Sequence, residues 1–233
     1  MKRGIIITID GPSGAGKGTV ARALAKRLGF LYMDTGAMYR AIALLAHRNL
    51  VDLNDEKEIT ELILGAHISL RTDPDCNLRV FLGEEDVTEK IRTPEMSRLS
   101  SDIATKRGIR NFLKAMQRKI GREGKIVAEG RDMGTYVFPN ADFKFYIDAS
   151  LDERAKRRWL QLKESGIKAD IEDVKGEIGI RDRQDMGRQE SPLHPASDAV
   201  IIDTTNLTAD EVIEKIIKTI EEAKLIDEEN HTG

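Results

Sequence analysis

Cysteine is nearly absent: Cys76 stands alone among 233 residues. That excludes an internal disulfide and any metal cage built on several thiolates, and it fits a reducing cytosol. Its expected place is as a small filler in a loop or strand. Aromatic residues make up only 5% of the chain, too few to serve with basic residues as stacking platforms for nucleic acid. Neither sign of charge dominates, with 37 Lys and Arg against 40 Asp and Glu and a net charge of −3, so no global positive field recruits nucleic acid and each arginine must be judged locally. Long apolar runs are missing as well. No segment approaches the ~18 apolar residues of a membrane helix, and Met1-Lys2-Arg3-Gly4 opens onto about five apolar residues, shorter than a signal-peptide core. The expectation is a soluble cytoplasmic protein without membrane or nucleic-acid partners. Its 40% hydrophobic and 33% charged content suffices for one sizeable core with appended subdomains.

The most informative segment is the nonapeptide Gly11, Pro12, Ser13, Gly14, Ala15, Gly16, Lys17, Gly18, Thr19, which follows the apolar run Ile5–Ile9 and leads into helical apolar spacing. Glycines leave backbone N–H groups free to wrap phosphate oxygens. The next helix presents its positive N-terminal end, and Lys17 adds a mobile charge. One detail narrows the class: Gly18 follows the lysine, and the hydroxyl arrives one residue late, at Thr19. The usual magnesium-binding hydroxyl is therefore missing, and the metal must be held by nucleotide phosphates, water and some other group. This Gly-Lys-Gly-Thr ending resembles the loop of nucleoside monophosphate kinases, which implies a second, anion-rich site downstream.

The remaining pattern alternates strand and helix. Ile5–Ile9 is β-branched without alternation, as suits a parallel strand buried on both faces. Val20, Leu24 and Leu28 mark a helix closed by Gly29, Phe30–Met33 a short strand, and Met38–His47 a second helix. Further buried-strand candidates are Ile126–Ala128, Phe143–Ile147 and Val200–Ile202. The implied fold class is α/β, an open parallel sheet of about five strands flanked by helices. Each strand ends toward a polar group, at Asp10, Asp34, Glu129, Asp148 and Asp203, where ligands gather in such sheets. Asp148 and Asp203 read by default as helix caps or turn formers. Two regions break the alternation. Residues 67–91 turn around Asp73-Pro74-Asp75 like a small antiparallel meander, and residues 151–189 are dense in charge, which by itself describes a solvated helical pair. The resemblance of the phosphate loop to nucleoside monophosphate kinases implies one kinase domain: a core of 1–60, 105–150 and 190–233, an acceptor-side insert of about 61–104, and a helical lid of about 151–189. The tail from Asp227 to Gly233 reads as frayed.

Several strings together resemble the bacterial cytidylate kinase family over nearly the whole chain: Asp34-Thr35-Gly36-Ala37-Met38-Tyr39-Arg40, Ile91-Arg92-Thr93, Glu129-Gly130-Arg131-Asp132-Met133-Gly134-Thr135, Phe138-Pro139, Leu151-Asp152-Glu153-Arg154-Ala155 and Arg181-Asp182-Arg183-Gln184-Asp185-Met186-Gly187-Arg188. The Gly-Arg-Asp-Met-Gly-Thr string is the most specific. The resemblance implies phosphorylation of CMP and dCMP by ATP with Mg2+, in a monomer. It assigns the cytosine to Asp132, Ser101 and Arg110, the acceptor phosphate to Arg40 and Arg131 with Arg188 reaching phosphate or base, and the sugar to Thr35, Arg181 and Asp185. Glu129 would place magnesium through water. Lys17, Arg131 and Arg188 would act on the phosphates, with Arg154, Arg157 and Arg158 as lid candidates whose order the sequence does not give.

These implications agree with the chemistry. Cytosine donates from its amino group and accepts at a ring nitrogen and carbonyl, so its pocket needs a fixed acceptor and a donor. Uracil would set a carbonyl against the Asp132 carboxylate, and a site built on buried hydrogen bonds can reject such an analogue by ~10⁴. Guanidinium groups suit the acceptor phosphate because their planar fork binds oxygens in pairs. Structural alternatives stand beside each assignment: a salt bridge from Asp132 to Arg131 or another arginine, an ordinary helix position for Ser101 next to Ser100, and an intrahelical pair between Arg181 and Asp185, four residues apart. Other functions consistent with the loop are a kinase for UMP, AMP or shikimate, and a nucleotide switch. The chain lacks an Asn-Lys-x-Asp guanine signature, and a switch has no use for an arginine-rich acceptor site.

Overall fold

In the computed structural model, which describes residues 3–73 and 78–231, the apolar run before the phosphate loop becomes the central strand of the main sheet. Strand β1 (Ile6–Asp10) is buried along its whole length and leads through the loop into α1 (Lys17–Leu28). β2 (Leu31–Asp34) and α2 (Thr35–Arg48) follow, then α3 (Glu56–Gly65), β3 (Ile68–Thr72), β4 (Leu78–Leu82), β5 (Glu85–Asp86), α4 (Pro94–Ile103) and α5 (Arg107–Ile120). The chain returns as β6 (Ile126–Gly130), β7 (Phe143–Asp148), α6 (Leu151–Glu164), α7 (Ile171–Gly187), β8 (Val200–Asp203) and α8 (Ala209–His231). Cys76 and the turn expected at Pro74-Asp75 lie outside the described residues.

Five strands form a parallel sheet in the order β2-β6-β1-β7-β8, and β3-β4-β5 form a separate antiparallel sheet. The expected α/β architecture and the small meander are therefore both present. From β1 the chain crosses to β2 on one side and later reaches β7 and β8 on the other, so the carboxyl ends of β1 and β6 face the crevice where such sheets bind ligands. Ile7 and Ile9 of β1 are fully buried with Val127, Phe145 and Ile147 of the neighbouring strands, each worth about 1.5–3 kcal/mol of burial.

Helix boundaries follow local chemistry. Gly29 closes α1 in the left-handed conformation, and Asp34, Thr93, Ser150 and Asp170 cap α2, α4, α6 and α7 through their side-chain oxygens, as short polar residues do. Asp203 forms a turn as expected, accepting from Thr205 N and Oγ1, whereas Asp148 accepts from the adjacent Ala149 N and leaves the capping of α6 to Ser150. Two sequence expectations need correction. Val200–Ile202 is not buried on both faces: β8 is an edge strand, and Ile201 is 63% exposed. The tail is also more regular than its composition suggests, because α8 runs through Asp227 to His231 as a continuation of turns already formed. Among the described residues, no helix is long and apolar enough to cross a membrane.

Candidate active site

The phosphate loop is shaped by contacts that only glycine permits. Gly11 has φ +148°, and a Cβ there would fall 1.9 Å from the Ile147 carbonyl oxygen. Gly16 sits at φ 89° before α1, whose first turn no side chain caps, so its N–H groups stay open to an anion. Lys17 is buried and donates to the Pro12 carbonyl at 2.5 Å. Burial, and next the Arg131 guanidinium, push its ammonium down to about 7, against the pull of Glu129.

A cleft of about 430 Å³ opens over this loop. Ser13, Gly14, Gly16, Lys17, Gly18 and Thr19 line it, whereas Gly11, Pro12 and Ala15 do not. Six cations converge there, namely Lys17, Arg40, Arg131, Arg157, Arg158 and Arg181, with only Asp34 and Glu129 as carboxylates. The cations repel one another. Burial and then Arg131 bring Arg181 down to about 10, and burial and then Arg40 lower Arg158. Such an excess of positive charge in one concavity is the complement of a polyphosphate.

A second, smaller pocket of about 50 Å³ adjoins the cleft, sharing Gly36, Gly130, Arg131 and Arg181 with it. Its walls carry Thr35, Tyr39, Ser100, Ser101, Arg110, Asp132, Asp185 and Arg188, so the residues assigned to base and sugar are brought together. Asp132 and Arg110 are both buried, and one Asp132 oxygen accepts from Arg110 Nη2. The pair thus offers an acceptor and a donor side by side, joining the salt-bridge alternative to the base-reading one. Asp185 does not pair with Arg181. It accepts from Arg131 Nε at 2.7 Å and lies 3.2 Å from Arg188 Nη1, and these cations help hold its carboxyl below the usual range despite burial. Arg188 belongs to this pocket and not to the phosphate cleft. Thr35 spends its hydroxyl hydrogen on the Glu129 carbonyl at 2.7 Å, which leaves lone pairs to offer. The Ser101 hydroxyl donates to Ser97 O at 3.3 Å, and Ser100 lines the same pocket. The Nε atoms of Arg40, Arg110, Arg181 and Arg188 are buried without a hydrogen-bond partner among the described residues. Buried unpaired donors are costly, and here they are divided between the cleft, lined by Arg40 and Arg181, and the adjoining pocket, lined by Arg110, Arg181 and Arg188.

The lid arginines separate by location. Arg157 and Arg158 line the cleft. Arg154 does not: it is buried, donates to Ala149 O and Ser13 O, and pairs with Asp182. It belongs to the loop's support. Glu129 accepts from Tyr32 OH at 2.6 Å and sits beside Gly18, where a Cβ would meet its Oε1 at 2.9 Å. Burial and then Asp34 raise its carboxyl pKa.

Sequence reasoning gave no role to Tyr32, Tyr39, Asp34 or Asp182. Tyr39 and Asp182 lie inside the quoted strings and Asp34 ends a strand, so position was a usable signal for those three. Tyr32 faces Glu129 only through the β2–β6 pairing, which a sequence does not print. No group of three or more His, Cys, Asp or Glu suited to a metal occurs among the described residues.

The family model described as Cytidylate kinase matches residues 7–222. A protein named Cytidylate kinase from Citrifermentans bemidjiense is 45% identical over 221 residues, 95% of this chain and 94% of its own. One of the same name from Syntrophotalea carbinolica is 43% identical over 233 residues, 100% of this chain and 99% of its own, and one from Bacillus licheniformis is 44% identical over 95% of this chain and 98% of its own. Among solved structures, an uncharacterized protein from Eubacterium ventriosum superposes with a TM-score of 0.52 at 15% identity, over 93% of this chain and 98% of that one, a likeness of fold alone.

Proposed function

The chain belongs to the cytidylate kinase family, and from that premise we propose that it transfers the terminal phosphoryl group of ATP to CMP and dCMP, giving ADP and CDP or dCDP. The observation that carries this reading is the junction of a cleft lined by six cations with a pocket holding the Asp132–Arg110 pair. One concavity suits polyphosphate, the other suits cytosine, and they share walls where the phosphates would meet.

The attacking group is an anionic phosphate oxygen of the acceptor, so no strong general base is needed. Catalysis then consists mostly of alignment and neutralisation of charge on the transferring group. Lys17 and the loop N–H groups hold the donor, Arg40 and Arg131 the acceptor phosphate, and Arg157 and Arg158 close over the transferring group from α6. Asp132 accepts from the cytosine amino group, and Arg110 and Ser101 donate to its acceptors. Arg188 steadies the base end, while Thr35, Arg181 and Asp185 surround the sugar. The β3–β4–β5 sheet with α4 forms the acceptor-side insert, and α6–α7 the lid, which excludes water when both substrates are bound.

Magnesium fits this site. Glu129 presents a hard oxygen beside Gly18, the donor type the ion prefers, whereas Asp34 spends its oxygens on Ala37 N and on Arg40. Glu129 would hold it through water, and when bound the ion neutralises charge between donor phosphates. The reading takes the enzyme as a cytoplasmic monomer, and sedimentation at assay concentration would give one species of monomer mass. Its direct test is product analysis after incubation with ATP, magnesium and one acceptor at a time. CDP and dCDP formation is expected. ADP release indifferent to the acceptor, or preferring AMP or UMP, would overturn it.

A further inference from the structure

The residue that closes β1, immediately before the phosphate loop, reaches across the sheet to the turn that carries Asp132. One oxygen of Asp10 accepts the backbone N–H of Met133 at 2.9 Å, and the other accepts that of Gly134 at 2.7 Å. Asp10 is buried and lines neither the cleft nor the smaller pocket, so it touches no substrate. Its two donors directly follow Asp132. The β1–β6 pairing ends at Asp10 opposite Gly130, after which the chain leaves the strand. Asp132 adopts φ −145° and ψ 23° before one π-helical turn, Met133–Val137. The first N–H groups of such a turn have no acceptor of their own, and a carboxylate there also matches the local dipole.

Packing holds the turn against β1 as well. A Cβ on Gly134 would come within 2.9 Å of Thr8 Oγ1 and 3.4 Å of Asp10 Oδ2. The turn is thus fixed at two successive amides by one carboxylate, and the residue one position earlier aims into the base pocket beside Arg110.

We infer that Asp10 is a positioning residue for cytosine selection: by holding the Met133 and Gly134 amides it sets the orientation of the Asp132 carboxylate, and thereby the preference for cytosine over uracil. The inference rests on the functional reading above. It adds that discrimination depends on a residue outside the pocket, belonging to the strand that feeds the donor loop.

The arrangement needs Asp10 ionised, because a protonated oxygen would set an O–H against one of the two N–H groups. Burial, more than any other influence, raises its pKa to about 6, opposed first by the Gly134 and Met133 N–H bonds, with Asp132 adding repulsion and Lys17 a smaller counter. Charged or titratable side chains packed nearby from other strands are Lys144, close to the Gly134 position, and Tyr146, whose own pKa is raised by burial, then Asp148, with Asp10 contributing.

The test compares kcat/KM for CMP with that for UMP between pH 7.5 and 5.5, in the native sequence and in Asp10→Asn. The ratio matters because titration of the acceptor phosphate is common to both substrates and cancels. An asparagine can accept only one of the two N–H groups and turns its own NH₂ toward the other. The expected result is a CMP-to-UMP ratio roughly tenfold lower in Asp10→Asn, the scale set by one unpaired buried hydrogen bond, with KM for ATP unchanged. In the native sequence the ratio should fall as pH drops through about 6, and that limb should be absent from the variant. A variant that keeps the native ratio, or a limb that persists in it, would show Asp10 to be only a structural cap. If Asp10→Asn does not fold, the native profile decides alone, and a ratio flat through pH 6 overturns the inference. Should the native protein fail to phosphorylate CMP at all, the functional reading falls first and this inference with it.

Discussion

The backbone N–H of Ser13, in the phosphate loop, donates to Asp182 Oδ1 of α7 at 3.2 Å. The other Asp182 oxygen pairs with Arg154 of α6, which also donates to the Ser13 carbonyl at 3.0 Å. Ser13 is therefore held through both its amide and its carbonyl by the two helices of the proposed lid, so the loop's entrance and the lid are mechanically joined.

This contact ranks the lid arginines, which sequence left unordered. Asp182→Ala strands a buried guanidinium and should cost about 3 kcal/mol of stability, read as a lower midpoint in urea. Arg158→Ala should leave stability within about 0.5 kcal/mol of the native protein yet lower kcat by roughly 10³-fold. Equal stability losses in both variants would contradict the division between support and catalysis.

Lys17 gives a proton-linked signature. Burial and Arg131 lower its pKa from the ordinary 10.5 to about 7. Between those values the unfolded chain binds more protons at this group than the folded one, so its contribution to stability rises with pH across that window. Donor phosphates favour the charged form and restore the proton. ATP binding at pH 8 should therefore take up close to one proton, seen by calorimetry as heats that vary with the buffer's ionisation enthalpy. Lys17→Met should abolish that dependence and lower kcat by roughly 10²–10³-fold. Buffer-independent heats in the native protein would contradict the assignment.

Glu129 should govern the metal requirement. Its carboxylate, held by Tyr32 OH at 2.6 Å, orients water around the ion in the proposed arrangement. Chelation of magnesium should stop turnover, and Glu129→Gln should raise the magnesium concentration for half-maximal rate by about tenfold, the scale of an outer-sphere partner. Tyr32→Phe should shift it less, in the same direction. An unchanged magnesium curve in Glu129→Gln would remove the residue from the metal's surroundings.

The parallel sheet was legible in the sequence because its strands are short, mostly apolar runs, each with a carboxylate at or next to its carboxyl end, and the loop glycines appear where the chain passes within contact distance of Ile147 and Arg154. The edge position of β8 was not legible, since Val200-Ile201-Ile202 has the composition of a buried strand and exposure depends on the absence of a neighbour. At the site, motif strings located the acceptor residues but not their pairing. Asp132 with Arg110 spans 22 positions and Arg154 with Asp182 spans 28, separations set by the packing of α5 and of α7, which no local pattern encodes. Arg154 and Arg158 lie four residues apart on one charged helix, and only the fold turns one inward to the loop and the other to the cleft.

The most direct test of the central claim is the ratio of kcat/KM for CMP to that for UMP, measured by coupled ADP release in the native protein and in Asp132→Ala. The account predicts strong turnover of CMP and dCMP, UMP disfavoured by as much as ~10⁴, and a ratio that collapses in Asp132→Ala, mainly through loss of CMP turnover. A native ratio near one, or a mutant that keeps the native preference, would contradict it.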